Sequence, residues 1–324
     1  MKANIYTEYG SPDVIQFKEV EKPTPKDDQV LIKVYAASVN AADWHYLRGT
    51  PWLFRLACGL FKPKNIFLGG DVAGRVEAVG KNVTQFQPGD EVFGDLSASG
   101  RGSFAEYVCA SENALILKPA NISFEEAAAV PVASVTALHG LQSKTQIQPG
   151  QKVLINGASG GVGLFAVQIA KAFGAEVTAV CSTRNVERMR SIGADHVIDY
   201  TQEDFTQNGQ RYDFILAANG YRPISAYKRA LSPEGTYVMT GGANAQMFEA
   251  MLLGPLVSIT VNQKMGNVMT KPDQKKLAFM KQLLETGKVK PVIDRCYPLS
   301  EVAEAIRYLE TGHAQGKVVI TVAQ

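Results

Sequence analysis

Apolar residues come in short bursts over the first hundred positions. Within 29–39, Val30, Ile32 and Val34 recur at every second position inside a β-compatible apolar run. Residues 71–79 alternate as Val-Ala-Gly-Arg-Val-Glu-Ala-Val after Asp71, and 104–110 form another apolar-rich run. A spacing of two predicts strands. Pro88-Gly89-Asp90 and the Ser-Ala-Ser-Gly-Arg-Gly stretch at 97–102 supply turns between them. Short strands parted by turns predict a partly closed, mostly antiparallel β-unit.

The pattern changes near Pro119. Ser123, with Glu125 and Glu126 behind it and Ala127, Ala128 and Ala129 following, reads as a capped helix start. Strand and helix then alternate: strand 153–155, helix 161–173, strand 176–181, helix 186–192, strands 197–198 and 214–216, helix 224–231, and strands 237–239 and 257–261. That alternation predicts a parallel sheet with crossover helices. From about Lys264 a Lys-rich helix is expected, then a strand near Val292, a helix over 301–309 and a last strand over 318–322. There is no internal repeat.

Composition narrows the class. The 324 residues favour two domains. A net charge of +2, from 33 basic and 31 acidic residues, calls for neither nucleic acid nor an anionic membrane as partner. The most lysine-rich stretch, 264–290, has one aromatic residue, Phe279, and reads as a solvated helix face. Cys58, Cys109, Cys181 and Cys296 are too scattered for a structural zinc site or a redox pair. They suit a reducing cytosol, so a cytoplasmic protein is expected. No targeting segment and no membrane span is expected. The start lacks an apolar signal core, and the apolar stretch 250–261 is short and holds Gly254-Pro255.

The motif richest in chemistry is Val153-Leu154-Ile155-Asn156-Gly157-Ala158-Ser159-Gly160-Gly161-Val162-Gly163, which follows a strand and opens a helix. A helix N-terminus with free N–H groups attracts a pyrophosphate. Ala158 stands at the first position of a G-x-G-x-x-G spacing, Gly160 would admit the ligand, and Gly163 would let helix and strand pack closely. A site for NAD usually has an acid at the end of the next strand. Here that strand runs into Ser182, Thr183 and Arg184. Two hydroxyls and a guanidinium suit a 2′-phosphate, so NADPH is favoured over NADH.

Taken in order, these motifs resemble the quinone oxidoreductases, a zinc-independent branch of the medium-chain dehydrogenases/reductases. The run from Gly150-Gln151 through Ala158-Ser159-Gly160-Gly161 and Gly163 to Gln168 and Lys171 is similar to their signature. Ser38-Val39-Asn40 with Asp43 and Arg48-Gly49, then 68–74, Gly89-Asp90-Glu91-Val92, 102–107 and Gly316-Lys317-Val318-Val319 follow in the family's order. The resemblance implies an α/β protein: a Rossmann doubly wound parallel sheet over 122–264, inserted into a GroES-like, mostly β catalytic domain made from 1–121 and 265–324. It implies a homodimer joined through the edges of the parallel sheets. The zinc-dependent relatives carry Cys-His where this chain has Asn40-Ala41, and Gly-His-Glu where it has Gly69-Gly70-Asp71. No metal is therefore expected.

Without a metal, only hydrogen-bond donors can polarise an acceptor, which favours quinones and alkenes conjugated to a carbonyl. The resemblance assigns Asn40 to orient the acceptor, with Tyr46 the candidate proton donor and His45 its competitor. To the cofactor residues read from the loop and the turn after it, Ala158, Ser159, Gly160, Gly161, Val162, Gly163, Ser182, Thr183 and Arg184, it adds Thr136, Tyr200, Asn219, Gly241, Gly242 and Lys317. The apolar loop 50–64 reads as a flap over a hydrophobic acceptor. Zinc-type alcohol dehydrogenase activity, and a non-enzymatic NADPH-sensing or RNA-binding role, stay open as alternatives.

Overall fold

Strand Gln29–Val39 is the spine of the first of two units. The computed structural model describes residues 1–260 and 262–322. The first unit takes in Met1–Val132, Lys271–Glu285 and Pro291–Gln324. One edge of the spine pairs antiparallel with Asp71–Val79. Its other edge is shared: the first half takes Tyr107–Ser111, and the second takes Lys317–Thr321. The full order is Ile293–Pro298, Lys317–Thr321, Gln29–Val39, Asp71–Val79, Glu91–Asp95, Leu115–Leu117. Only the outermost pair, Ile293–Pro298 with Lys317–Thr321, runs parallel. The alternating positions Val30, Ile32 and Val34 point into one core with Val72, Val76 and Phe104. The helix Val302–Glu310 adds Val302, Ala305 and Ile306 to it.

The second unit comprises Ala133–Thr270 and Thr286–Lys290. Its six strands are all parallel, in the order His196–Asp199, Glu176–Cys181, Lys152–Asn156, Tyr212–Ala217, Leu231–Met239, Lys264–Asn267. This is the dinucleotide-fold order, whose direction reverses between Lys152–Asn156 and Tyr212–Ala217. The strands are buried on both faces, so they read as continuous apolar runs rather than alternating ones. Gln168 ties in the return segment. Its Nε2 donates to Lys290 O at 3.0 Å, and its Oε1 accepts from Lys290 N at 2.8 Å.

One expected strand is corrected. Residues 257–260 close the helix Asn244–Thr260, and Val261 lies outside the described residues. The sixth sheet position is filled instead by Lys264–Asn267, which pairs with 236–239. Gly254 lies so close to Gly266 that a Cβ on it would stand 3.0 Å from Gly266 Cα. Ser258 Oγ accepts from Met265 N at 2.8 Å. Through Gly254 and Ser258 the helix thus lies against the strand that fills the sixth position. No helix among the described residues is long and apolar enough to cross a membrane.

Candidate functional site

In the second unit, strand Lys152–Asn156 leads into helix Gly161–Ala172 through a tight turn. The left-handed residue is Gly157, at φ 79°, one position before Ala158. Ala158 is fully buried and donates its amide to Val180 O, so it serves the sheet rather than the loop's open face. A Cβ on Gly163 would stand 2.2 Å from Gly157 O and 2.7 Å from Ala158 Cα. Only glycine lets the helix close onto the turn. At Gly160, by contrast, a Cβ would meet nothing nearer than Gly157 O at 3.6 Å. The space over Gly160 is open, and Gly161 and Val162 are half-buried where the helix presents its first N–H groups. This cradle fits a pyrophosphate.

The neighbouring strand ends complete a rim. Gly157 approaches Asn219, and Gly242 approaches Gly220: a Cβ on either glycine would stand 2.6 Å from Asn219 Cβ or 2.7 Å from Gly220 O. Gly241 crowds Ala218 O in the same way. The C-terminal ends of three strands, 152–156, 212–217 and 231–239, therefore meet at the switch point, where such sheets bind ligands. Ser182 and Thr183 begin a short turn after Glu176–Cys181, with Thr183 and Arg184 exposed. An acid that local reading missed reaches this turn from the next strand. Asp199 Oδ2 accepts from Thr183 Oγ1 at 2.5 Å, and its Oδ1 accepts from the amide and hydroxyl of Thr201. Both oxygens are engaged inside the turn. The Thr183 hydroxyl, above all, holds the Asp199 carboxyl below its usual range. Tyr200 beside it is 55% exposed. Thr136 is buried on the helix Pro131–Gln142.

In the first unit, four polar side chains converge inside the sheet. Register sets Ser38 opposite Asp71, and both are fully buried. Ser38 Oγ donates to Asp71 Oδ2 at 2.5 Å, and Asn40 Nδ2 donates to the same oxygen at 2.8 Å. Lys317 Nζ donates to Asn40 Oδ1 at 2.5 Å and lies 3.4 Å from Asp71 Oδ2. Lys317 can only donate and Asp71 only accept, so the Asn40 amide has a single orientation. Val132 N donates to Asp71 Oδ1 at 2.8 Å. Asn40 also stands at the N-cap of helix Ala41–Arg48, where its backbone N–H donates to Asp43 Oδ2 at 2.8 Å. Gly69 N donates to the other Asp43 oxygen. Burial pushes the Asp43 carboxyl up to about 6, against those two bonds. Asp95 is also pushed up to about 6, by burial first and then by the charge of Asp71.

A small pocket opens beside this cluster, lined by Asn40, Asp43, Gly70, Ser97, Arg101 and Val132. Tyr46 lies close to that wall. The Arg101 guanidinium stacks 3.2 Å from the centre of its ring, and Phe54 packs on it at 4.6 Å between centroids. His45 stacks on Trp44, its Nδ1 lies 2.9 Å from Thr50 O, and burial lowers its pKa. In the loop 50–64, Trp52, Leu53, Leu56 and Phe61 are exposed, Phe61 at 90%.

The structure thus brings Asn40 and Lys317 into one network and Tyr46 near it. In the second unit it brings together the glycine loop, Asn219 and Gly241-Gly242. Ser38, Asp43, Asp71, Asp95 and Arg101 were not expected as site residues. An aspartate inside a strand is unfavourable, and that was the one local signal for Asp71. Among the described residues no three His, Cys, Asp or Glu side chains converge as metal ligands. Where a metal would need donors, the network holds an ammonium ion on Asn40, so this donor set does not fit zinc.

Comparison with known proteins gives the following. The "Alcohol dehydrogenase GroES-like domain" family matches residues 26–120, and the "Zinc-binding dehydrogenase" family matches 192–320. The chain is 39% identical over 337 residues to the 2-methylene-furan-3-one reductase of Solanum lycopersicum, covering 99% of this chain and 79% of that protein. It is 36% identical to the chloroplastic NADPH-dependent alkenal/one oxidoreductase of Arabidopsis thaliana, with the same coverage of each. The solved quinone oxidoreductase of Coxiella burnetii superposes with a TM-score of 0.88 at 30% identity, over 100% of this chain and 99% of that one.

Proposed function

Because the chain belongs to the quinone oxidoreductase family of the medium-chain dehydrogenases/reductases, we propose that it reduces a quinone or a carbonyl-conjugated alkene with NADPH and without zinc. The observation that carries this reading is the open space over Gly160 at the start of helix Gly161–Ala172, on a six-stranded parallel sheet of dinucleotide-fold order. A bound reduced nicotinamide supplies hydride. The chain's own residues hold, orient and polarise. The amides of Ser159 to Gly163 take the pyrophosphate. Asn219, Gly241 and Gly242 contact the cofactor along the strand ends, and Thr136 contacts it from the helix Pro131–Gln142.

Ser182, Thr183, Arg184 and Tyr200 take the adenosine end. NADPH is preferred because Thr183 and Arg184 are exposed on this turn, where a hydroxyl and a guanidinium suit a 2′-phosphate, while Asp199 has both oxygens engaged by Thr183 and Thr201. In the first unit, Lys317 and Asp71 lock Asn40, which orients the acceptor carbonyl, and Tyr46 delivers the proton. An amide and an ammonium ion activate a carbonyl less than a metal does, which restricts the acceptors to electrophilic ones.

The reading extends to a homodimer. The edge strand Lys264–Asn267 has one neighbour, and Phe248, Met251, Leu252 and Leu253 on the adjacent helix are 43–66% exposed. It extends also to a reducing, cytoplasmic setting, supported by four free cysteines.

The test is nucleotide oxidation against a panel of quinones, enones and simple aldehydes, with NADH as control. Quinones or enones should turn over and simple aldehydes should not. NADPH should be favoured by about 10- to 100-fold, the worth of one charged phosphate contact. Equal use of NADH would overturn the Arg184 assignment, and inactivity on the whole panel would overturn the reaction.

A further inference from the structure

Gly100, Arg101 and Gly102 lie in succession in the left-handed region, at φ 102°, 57° and 117°. Arg101 is the one non-glycine with positive φ among the described residues. A Cβ-bearing residue resists that conformation, and such outliers point to function. The backbone around it is held on all sides. Arg101 N donates to Leu96 O at 3.0 Å, Gly102 N donates to the carbonyls of Leu68 and Gly69, and Asn65 Nδ2 donates to Gly100 O. The result is a guanidinium aimed into the pocket beside Asn40. The ring of Tyr46 stacks on it, and among the described residues its buried Nε has no hydrogen-bond acceptor. Lys317 is different, since Asp71 neutralises it. A buried donor on an arginine is costly unless a ligand oxygen completes it.

We propose that Arg101 binds the acceptor oxygen that becomes anionic as hydride arrives. This rests on the hydride-transfer reading above. The carbon β to the carbonyl gains a hydrogen with its electron pair. The C=C pair then shifts toward the carbonyl, whose oxygen becomes an enolate oxyanion and takes a proton from Tyr46 or water. In a quinone the same addition leaves an enolate oxyanion that takes a proton, and the ring carbon that received hydride then loses a proton through solvent to the second carbonyl oxygen, which completes the aromatic hydroquinone. The two electrons come from the reduced pyridine nucleotide. Arg101 is already fixed by its backbone and by Tyr46, so it meets the new charge without rearranging. Its planar fork suits an oxyanion better than an ammonium ion would.

Arg101→Gly removes the side chain and suits the left-handed backbone, so this variant keeps the fold. Its kcat with an enone should fall about 10²- to 10³-fold, the cost of one oxyanion donor. KM for NADPH should stay within about twofold. A titration without turnover gives an independent readout. 4-Nitrophenolate, an oxyanion followed by its absorbance, should bind the glycine variant at least about tenfold more weakly. Neutral 4-nitroanisole should bind both proteins alike. Arg101→Lys should recover part of each loss. A kcat in Arg101→Gly within about threefold of the parent would overturn the proposal, as would equal nitrophenolate affinity in the two proteins. If the parent reduces no enone or quinone, the reaction assignment falls, and the nitrophenolate titration still decides whether Arg101 is an oxyanion site.

Discussion

Gly160 and Gly163 lie three residues apart in one loop, and the structure gives them separable tasks. A methyl group on Gly163 would meet only backbone, at 2.2 Å from Gly157 O and 2.7 Å from Ala158 Cα. Backbone cannot rotate away, so Gly163→Ala sits near the top of the overpacking range, about 3 kcal/mol. The gain in helix propensity returns about 1 kcal/mol. A net loss of about 2 kcal/mol should lower Tm by about 4–8 °C. At Gly160, φ −79° and ψ 168° suit alanine, and the new methyl would meet nothing inside 3.6 Å. Gly160→Ala should therefore leave Tm within about 2 °C. The same methyl would stand where the phosphates approach. Losing one charge-assisted hydrogen bond should weaken NADPH binding about 10- to 100-fold. Thermal unfolding without nucleotide and calorimetric titration with NADPH measure the two effects separately. If Gly160→Ala melts as early as Gly163→Ala, or binds NADPH like the parent, the division of labour is wrong.

Three further outcomes follow from buried polar contacts. Gln168→Leu strands the Lys290 amide and carbonyl and should cost about 1–3 kcal/mol in urea unfolding; an unchanged midpoint would deny that this side chain secures the return segment. Lys317→Met leaves the Asp71 carboxylate buried and unpaired, at a cost of about 3–5 kcal/mol. Adding Asp71→Asn should recover much of that, and strict additivity of the two losses would refute the pairing. Asp95 has a folded pKa of about 6, above the ordinary 3.8. The folded state then holds more protons than the unfolded between those values, so its stability falls as pH rises through that window. Asp95→Asn should gain on the parent by up to about 3 kcal/mol between pH 4 and pH 7.5; parallel stability curves across that range would remove the buried charge from the account.

The local patterns revealed most where one residue's neighbours in sequence are its neighbours in space. The glycine turn, the alternation of strand and helix after Pro119, and the Ser123 cap, whose Oγ accepts from Glu126 N, are all short-range features. The run 257–260 misled because β-branched residues were read as a strand, while Gly254 facing Gly266 lets that segment lie as a helix over Lys264–Asn267. That strand's own sequence, Lys-Met-Gly-Asn, carries little β propensity and is held by backbone pairing. The Ser38–Asn40–Asp71–Lys317 network was hidden for a different reason: its members are brought together by strand register across almost 280 residues. Asp199 reached the Thr183 turn from a neighbouring strand in the same way.

That register has a consequence for synthesis. On one of its two edges, residues 36–39 of the spine strand pair with Lys317–Thr321, at the far end of the chain. On a ribosome adding about 5–20 residues per second, that stretch of sheet edge waits roughly 15–60 seconds for its mate. Most of the second unit, one continuous stretch from 133 to 270, can close in the meantime. A message cut short before codon 317 would release a chain with a permanently open β edge and with Asp71 lacking its cation, a form suited to aggregation and early proteolysis.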